Sequence, residues 1–233
     1  MIIQISSHRR SGTHALIDLV RSRFSIENDF FHLEDVLDWP LAKLEESSII
    51  VKTHEPEPEK KLHHFIKLGH VSEEKAQDIS DKTINIHAYR HPRNVFRSLY
   101  YFNIKGHEPV FQIPEKMLFL EFLKQEGVQD ADPNENRVQF WQRCVRNWAI
   151  REDVLALKYY DIASGTEEIV NALSEHLQLA PVSHKGISQE STAIGRETTK
   201  TMGGRSLWTS ESELFYEGEI DHELLQQIQI EES

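Results

Sequence analysis

A short polar loop near the start of the chain carries residue types that bind anions. Its six residues are Arg9, Arg10, Ser11, Gly12, Thr13 and His14. The loop follows the apolar run 2–5 and precedes apolar residues at helical spacing from Leu16 onwards. A strand, a polar loop and a helix N-terminus together present backbone N–H groups and the positive end of a helix dipole. We predict a phosphate- or sulfate-binding loop; the alternative is an ordinary strand-to-helix turn with two solvated arginines.

A lysine, a threonine and a histidine follow the second strand-like run. Residues 49–51 are apolar and β-branched, and Lys52, Thr53 and His54 come next, before Pro56. Ligands of open α/β sheets bind outside the carboxyl ends of the strands, so chemistry is expected at these side chains. The near-neutral pKa of a histidine suits it to accept a proton. The alternative for His54 is a surface residue at a strand end.

A second candidate anion site follows the third strand-like run. Residues 83–89 predict a strand, and Pro92 suits the first turn of a helix. Arg90 then lies at the end of the strand, and Ser98 about two turns into the helix. An arginine, a helix N-terminus and a serine hydroxyl can together bind a phosphate. The alternative for Arg90 is a structural ion pair.

The spacing of apolar residues predicts the elements that must position these groups. Strands are expected at 2–5, 48–53, 83–89 and 154–161, and helices after the first loop, over 59–82, 115–126, 141–148 and 166–179, and from 212. This alternation predicts an α/β fold, a three-layer sandwich whose central, mainly parallel sheet is flanked by helices. We expect a single domain over residues 1–233, with an insertion at 103–137. Cys144 falls in an apolar helical stripe and is expected in the core.

Two further segments have a composition that suggests a role near a ligand. The basic, glycine-rich segment 183–208 is long for a loop in a compact domain, and we predict a mobile flap that covers a phosphate. The segment 29–47 mixes aromatic and acidic residues. It is expected to pack over the sheet, with an acceptor pocket as the alternative.

Composition narrows the class of partner. Of the residues, 39% are hydrophobic and 27% charged, which is enough to fill a core. The formal net charge of −12 argues against nucleic acid, an anionic membrane or a polyanionic acceptor, and favours a neutral or cationic small molecule. The single cysteine allows no internal disulfide, and neither a leader peptide nor a long apolar stretch is evident. We therefore expect a cytoplasmic protein.

Taken together, these segments resemble the sulfotransferases that use 3′-phosphoadenosine 5′-phosphosulfate (PAPS). The loop 9–14 is similar to the family's P-K-S-G-T-T, residues 52–56 to K-T-H-x-P, and residues 89–101 to Y-R-x-P-x-D-V-x-x-S-x-Y-Y. Residues 141–148 and 157–162 resemble the helix and strand that end in Y-E-D-L. These blocks occur in the family's order between residues 2 and 162, and a weaker fifth block lies near 203–208.

The resemblance implies a P-loop-like sulfotransferase fold, PAPS as the donor, adenosine 3′,5′-bisphosphate (PAP) as the product, and no metal. It implies His54 as the general base, with Arg10 and Lys52 stabilising the transferred sulfonate and the leaving phosphate. The residues implied to bind the nucleotide are Arg9, Arg10, Ser11, Gly12, Thr13, His14, Arg90, Ser98, Tyr159, Gly203, Gly204 and Arg205.

The chain departs from the family pattern at several positions. Arg10 replaces the loop lysine, and an arginine holds oxygens bidentately but does not readily release a proton. Ala15 stands where a tryptophan often stacks on adenine, so stacking must come from elsewhere. The closing R-K-G-x-x-G-x-W motif keeps only its first glycine and its tryptophan. Its missing arginine leaves three candidates, namely Arg196, Lys200 and Arg205.

Two other classes of protein fit parts of the pattern. A Mg²⁺-dependent small-molecule kinase would need G-x-x-x-x-G-K-[ST] and an aspartate at a strand end, for which only Asp161 is available. A non-catalytic nucleotide-binding protein is the second alternative. The sequence does not decide between a hydroxyl and an amine acceptor, although we expect a secondary metabolite. It also leaves a homodimer open.

Overall fold

Five parallel strands form the centre of the molecule. The computed structural model describes residues 1–26, 30–33, 48–58, 60, 72–128, 131–183 and 207–230. The strands are β1 (Ile2–Ser7), β2 (Phe30–His32), β3 (Ile49–Thr53), β4 (Thr83–Tyr89) and β5 (Val154–Lys158). They lie in the order β2-β3-β1-β4-β5, and every pair is parallel. The parallel sheet predicted from the alternating pattern is confirmed.

The register of the central strand brings the polar segments to one edge of the sheet. Ser6 in β1 lies opposite Thr53 in β3 on one side and His87 in β4 on the other. Because the three strands run in the same direction and end at the same level, the chain leaves all of them at the same edge. The predicted anion loop, His54 and Arg90 therefore emerge side by side.

The helices surround this sheet. They are α1 (Thr13–Phe24), α2 (Glu73–Asp81), α3 (Pro92–Ile104), α4 (Phe119–Lys124), α5 (Arg137–Ala149), α6 (Tyr159–Ser164), α7 (Glu167–Leu177), α8 (Ser210–Glu219) and α9 (His222–Gln227). A 3₁₀ turn at Pro109–Phe111 follows α3. None of the described helices is both long and apolar enough to cross a membrane.

Two hydrophobic clusters cover the two faces of the sheet. On one face, Leu16 and Val20 of α1 and Leu173 of α7 pack against alternate strand residues such as Ile5 and Ile86. A second cluster is formed by Tyr89, α3, α4, α5 and the C-terminal helices α8 and α9. The first cluster takes alternate residues of the central strands, such as Ile3, Ile5 and Ile86, whereas Gln4, Ser6 and His87 between them are polar and also buried. The three-layer arrangement is thereby confirmed.

Local signals set the start of the helix that carries Ser98. Pro92 occupies the first turn of α3, where its missing N–H costs nothing, as the sequence predicted. The His91 side chain caps the helix by accepting a hydrogen bond from the Arg93 N–H at 3.2 Å. Arg90 therefore lies directly before a fixed helix N-terminus.

Several predicted boundaries differ from the structure. The expected strand over 154–161 ends at Lys158, and residues 159–161 begin α6 instead. The expected helix over 115–126 starts only after Leu118, because Glu121 accepts a hydrogen bond from the Leu118 N–H at 2.9 Å and caps a shorter helix. The C-terminal helix is in fact two helices.

Other differences concern the edges of the sheet. No strand was expected in segment 29–47, yet the three residues of β2 pair with residues 50–52 of β3. Strand β5 forms one edge of the described sheet, and helix α7 follows it along the chain without leading to another described strand. Predictions for the flap 183–208 lie outside the described residues for all but 183, 207 and 208, as do those for most of 29–47. Gly203, Gly204, Arg205, Arg196 and Lys200 fall in this group.

Candidate active site

The loop between β1 and α1 presents unsatisfied donors. Gly12 is the N-cap residue of α1, and its φ of 104° places it in the left-handed region that favours glycine. A glycine has no side chain with which to cap the helix, so the first-turn N–H groups stay available to an anion. The Ser11 hydroxyl is fully buried, and no group in the described part of the chain bonds to it. A buried donor without a partner is costly, and a bound anion would satisfy it.

Tyr159 closes one side of this loop. A Cβ atom added at Gly12 would collide with Cδ2 of the Tyr159 ring and would lie 3.2 Å from Cε2. Tyr159 is the first residue of α6, which a hydrogen bond of 3.1 Å from Asn94 Nδ2 to Tyr160 Oη ties to α3. The ring therefore lies between the anion loop and the start of α3.

We expect Gly12→Ala to weaken nucleotide binding by about 10- to 100-fold. A left-handed backbone strains any residue with a Cβ, typically by about 1–3 kcal/mol, and the new methyl group would also displace the Tyr159 ring. Calorimetric titration with PAP would measure the loss. Gly218→Ala is the matched control, because a Cβ there meets nothing within 4 Å. Unchanged affinity in Gly12→Ala would show that the loop does not hold the ligand.

Two guanidinium groups and a serine hydroxyl converge beside this ring. The Arg90 Cζ atom lies 4.5 Å from the centroid of the Tyr159 ring, and the buried Arg90 Nε has no hydrogen-bond partner among the residues that the structure describes. Arg10 Nε donates a hydrogen bond of 3.1 Å to Ser98 Oγ. Burial, and next the charge of Arg90, lower the pKa of Arg10. Such a concentration of positive charge is suited to a dianion such as phosphate.

His54 is held in one tautomer at the carboxyl end of β3. Its Nδ1 lies 2.8 Å from the carbonyl oxygen of Ser7, which can only accept, so Nδ1 carries the proton and Nε2 is the basic nitrogen. The chain just beyond it is anchored by Trp148, whose Nε1 donates to the Glu55 carbonyl oxygen at 2.8 Å. Burial, and then the charges of Lys52 and Arg9, lower the pKa of His54 well below its usual 6.5. The pKa of His54 is therefore lower than the near-neutral value that the sequence led us to expect.

Lys52 and His14 form a pair between β3 and α1. Lys52 Nζ lies 3.2 Å from His14 Nε2, and because an ammonium can only donate, His14 accepts at this nitrogen. Burial, followed by the charge of Lys52, lowers the pKa of His14 to about 4. Phe30 of β2 lies beside both residues, 5.4 Å from the His14 ring and 5.9 Å from Lys52 Nζ. The pair presents a fixed positive charge near the first turn of α1.

Arg9 is directed towards the segment after α3. Its Nη1 donates to Glu108 Oε2 at 2.7 Å, and its Cζ lies 4.6 Å above the Phe111 ring. The loop is therefore fastened to residues 108–111. Nothing in the sequence linked these residues, because 99 positions separate Arg9 from Glu108.

The structure brings most of the predicted site residues to one edge of the sheet. The loop 9–14 lies between Lys52 and His54 on one side and Arg90, Ser98 and Tyr159 on the other. Sequence reasoning missed Phe102 and Glu108 as neighbours of these groups, and it considered Phe30 only as part of the segment 29–47. No three His, Cys, Asp or Glu side chains within the described ranges are grouped as a metal site would need.

The comparisons with known proteins concern the fold. No protein-family model matches the sequence, and no curated protein matches it significantly. Among solved structures, a mouse sulfotransferase, SULT7A1, complexed with PAP superposes with a TM-score of 0.51 at 16% identity, over 96% of this chain and 77% of that one. Retinol dehydratase in complex with androsterone and inactive cofactor PAP matches with a TM-score of 0.43 at 18% identity, over 98% and 78% of the two chains.

The molecule is thus an α/β protein with a candidate anion-binding loop at the carboxyl edge of a parallel sheet. More particularly, its fold is that of the sulfotransferases, as the motifs predicted.

Proposed function

We propose that this protein is a PAPS-dependent sulfotransferase that transfers a sulfonate group to a hydroxyl or amine of a small molecule. The observation that carries the proposal is the placement of His54. Its basic Nε2 is defined by the bond from Nδ1 to Ser7, the residue that leads into the anion loop. A neutral base beside an anion site is what an acyl-, phosphoryl- or sulfonyl-transfer reaction requires.

The described residues fit the two ends of PAPS. The 5′-phosphosulfate would lie on the first turn of α1, where it would satisfy the buried Ser11 hydroxyl. The 3′-phosphate would lie by Ser98 and by Arg90 Nε, which has no partner among the described residues. Tyr159, which touches both regions, is an aromatic group available to the adenine, since Ala15 stands where the family often has a tryptophan.

In this proposal the acceptor oxygen or nitrogen attacks the sulfur, and the bond between sulfur and the 5′-phosphate oxygen breaks with its electron pair left on that oxygen. His54 Nε2 takes the acceptor proton. Lys52 and the loop N–H groups stabilise the charge that spreads over the sulfonate and the leaving phosphate. The contribution of the protein is mainly positioning and electrostatic stabilisation.

A Mg²⁺-dependent kinase is less well supported by the site. The loop has no lysine after Gly12, and Asp161 is an exposed residue of α6. The net charge of −12 supports a neutral or cationic acceptor, such as a secondary metabolite, over an anionic glycan. Preferential transfer to a sulfated or carboxylated glycan would refute this choice of acceptor.

Calorimetric titration with PAP, AMP and ATP, each with and without Mg²⁺, tests the donor. We expect PAP to bind without metal and at least about tenfold tighter than AMP, because the extra phosphate would gain charge-assisted hydrogen bonds. Turnover of PAPS with a panel of hydroxylated and amino acceptors would then identify the reaction. Binding of ATP alone, and only with Mg²⁺, would favour the kinase.

A further inference from the structure

We infer that Arg10 is a specificity-determining residue for the 3′-phosphate of the donor and is not a ligand of the sulfonate. This inference rests on the proposed function. It reassigns the residue that replaces the family's loop lysine, and it supplies the 3′-phosphate site with a second arginine from within the described chain.

The Arg10 side chain is directed away from the anion loop. Its backbone is left-handed, with a φ of 69°, and its side chain leaves the loop towards α3. There Nε donates to Ser98 Oγ at 3.1 Å, and Cζ lies 4.6 Å above the ring of Phe102. Ser98 and Phe102 are four positions apart and share one helix face, so the guanidinium contacts two residues on the same side of α3.

Positive charge is concentrated around this guanidinium. Arg90 and Arg10 are close enough for Arg90 to lower the pKa of Arg10, after the larger effect of burial. Glu108 is an acidic residue that raises the pKa of Arg10. Its hydrogen bond, however, is accepted from Arg9 and not from Arg10. Two adjacent guanidinium groups repel each other, and a phosphate dianion between them would remove that cost.

The Ser98 hydroxyl keeps a donor for a ligand. A serine oxygen that accepts from Arg10 still has its own O–H to donate. Arg10 therefore leaves Ser98 able to donate to a phosphate oxygen, while the Arg90 Nε is a second buried donor that lacks a partner in the described structure. The three residues form a donor set whose natural complement is a phosphate.

The test compares ligands that differ only in the 3′-phosphate. We would titrate wild type and Arg10→Met with PAP and with AMP, and measure turnover of PAPS. We expect Arg10→Met to lower the affinity for PAP about 10- to 100-fold and that for AMP less than about threefold. In turnover, KM for PAPS should rise while kcat stays within about threefold of the wild-type value. Arg97→Met, which removes an exposed arginine from α3, is the matched control.

Three outcomes are decisive. A collapse of the PAP-to-AMP ratio in Arg10→Met, but not in Arg97→Met, supports the inference. Equal losses for PAP and AMP, together with a large loss of kcat, would place Arg10 at the 5′-phosphosulfate end of the donor and overturn the inference, while leaving the proposed function intact. Failure of the wild type itself to prefer PAP over AMP would overturn the proposed function as well.

Folding of the variant is checked separately. Should Arg10→Met not fold, Arg10→Lys keeps the charge but loses the planar guanidinium that spans Ser98 and Phe102. A reduced PAP-to-AMP ratio in Arg10→Lys supports the inference, and an unchanged ratio contradicts it.

Discussion

His54→Ala should reduce sulfonate transfer by about 10²- to 10⁴-fold while leaving the affinity for PAP within about threefold of wild type. A general base usually contributes a factor of this size. In the proposed site the imidazole contacts the acceptor proton and not the nucleotide, so donor binding should survive its removal. Single-turnover kinetics with saturating PAPS would measure the loss of rate, and calorimetry with PAP would measure binding.

The matched control is His222→Asn, which alters a half-buried histidine of α9 that lies beside Glu217. His54→Gln adds a second variant that retains a polar side chain without a basic nitrogen. Full turnover in His54→Ala would reject the base assignment. A parallel loss of PAP affinity would instead show that His54 supports the donor site.

The dependence of kcat/KM on pH is a second test of the role of His54. The active form is the neutral imidazole, and the lowered pKa of His54 keeps it neutral at about pH 6. For this group, kcat/KM of the wild type should therefore not fall between about pH 8 and pH 6. A bound anionic donor offsets the charges of Lys52 and Arg9, so PAP should raise the pKa of His54, which NMR titration would detect.

Acidification should destabilise this protein steeply, by several kcal/mol between about pH 6.5 and pH 4.5. Burial lowers the pKa values of His8 and His87 to about 3, and that of His14 to about 4. In the unfolded chain these residues titrate near about 6.5, so below that pH the unfolded state binds more protons than the folded state. Stability is then complete above this pH and is lost as the pH falls towards the folded-state values of about 4 and about 3.

The expected slope is close to about 1.4 kcal/mol per pH unit for each histidine once the pH is well below 6.5. A typical domain has only about 5–15 kcal/mol to lose. Urea denaturation at a series of pH values would measure the free energy of unfolding. His87→Gln should reduce the slope by about one proton. A free energy of unfolding that is flat between about pH 6.5 and 4.5 would contradict the burial of these rings as neutral groups.

The local sequence predicted the elements whose signals are short-range. The apolar run 2–5, the glycine at position 12 and the proline at position 92 each determine their own structure through strand burial, left-handed backbone and a fixed φ. Because alternating strands and helices form a parallel sheet, the carboxyl ends of the strands meet at one edge of the sheet. For this reason the loop 9–14, His54 and Arg90, each predicted at the end of a strand, lie at the same edge of the sheet.

The boundaries of helices and strands that depend on side-chain contacts could not be predicted from short-range signals. Helix α4 begins where the Glu121 carboxylate reaches the Leu118 N–H, and β5 ends where Tyr159 turns towards Gly12. Strand β2 was missed because three residues carry too little periodicity to predict a strand without the edge of β3 as a partner.

The sequence by itself therefore determined the α/β alternation, the residue types at the candidate site and the strand edge at which they gather. Only the tertiary structure decided the direction of each long side chain. Arg10 contacts Ser98, 88 positions away, and Arg9 contacts Glu108, 99 positions away. Two adjacent arginines of one loop thus point to different partners, because charge and packing across distant segments, and not the local spacing, determine the lowest-energy rotamer of a flexible cation.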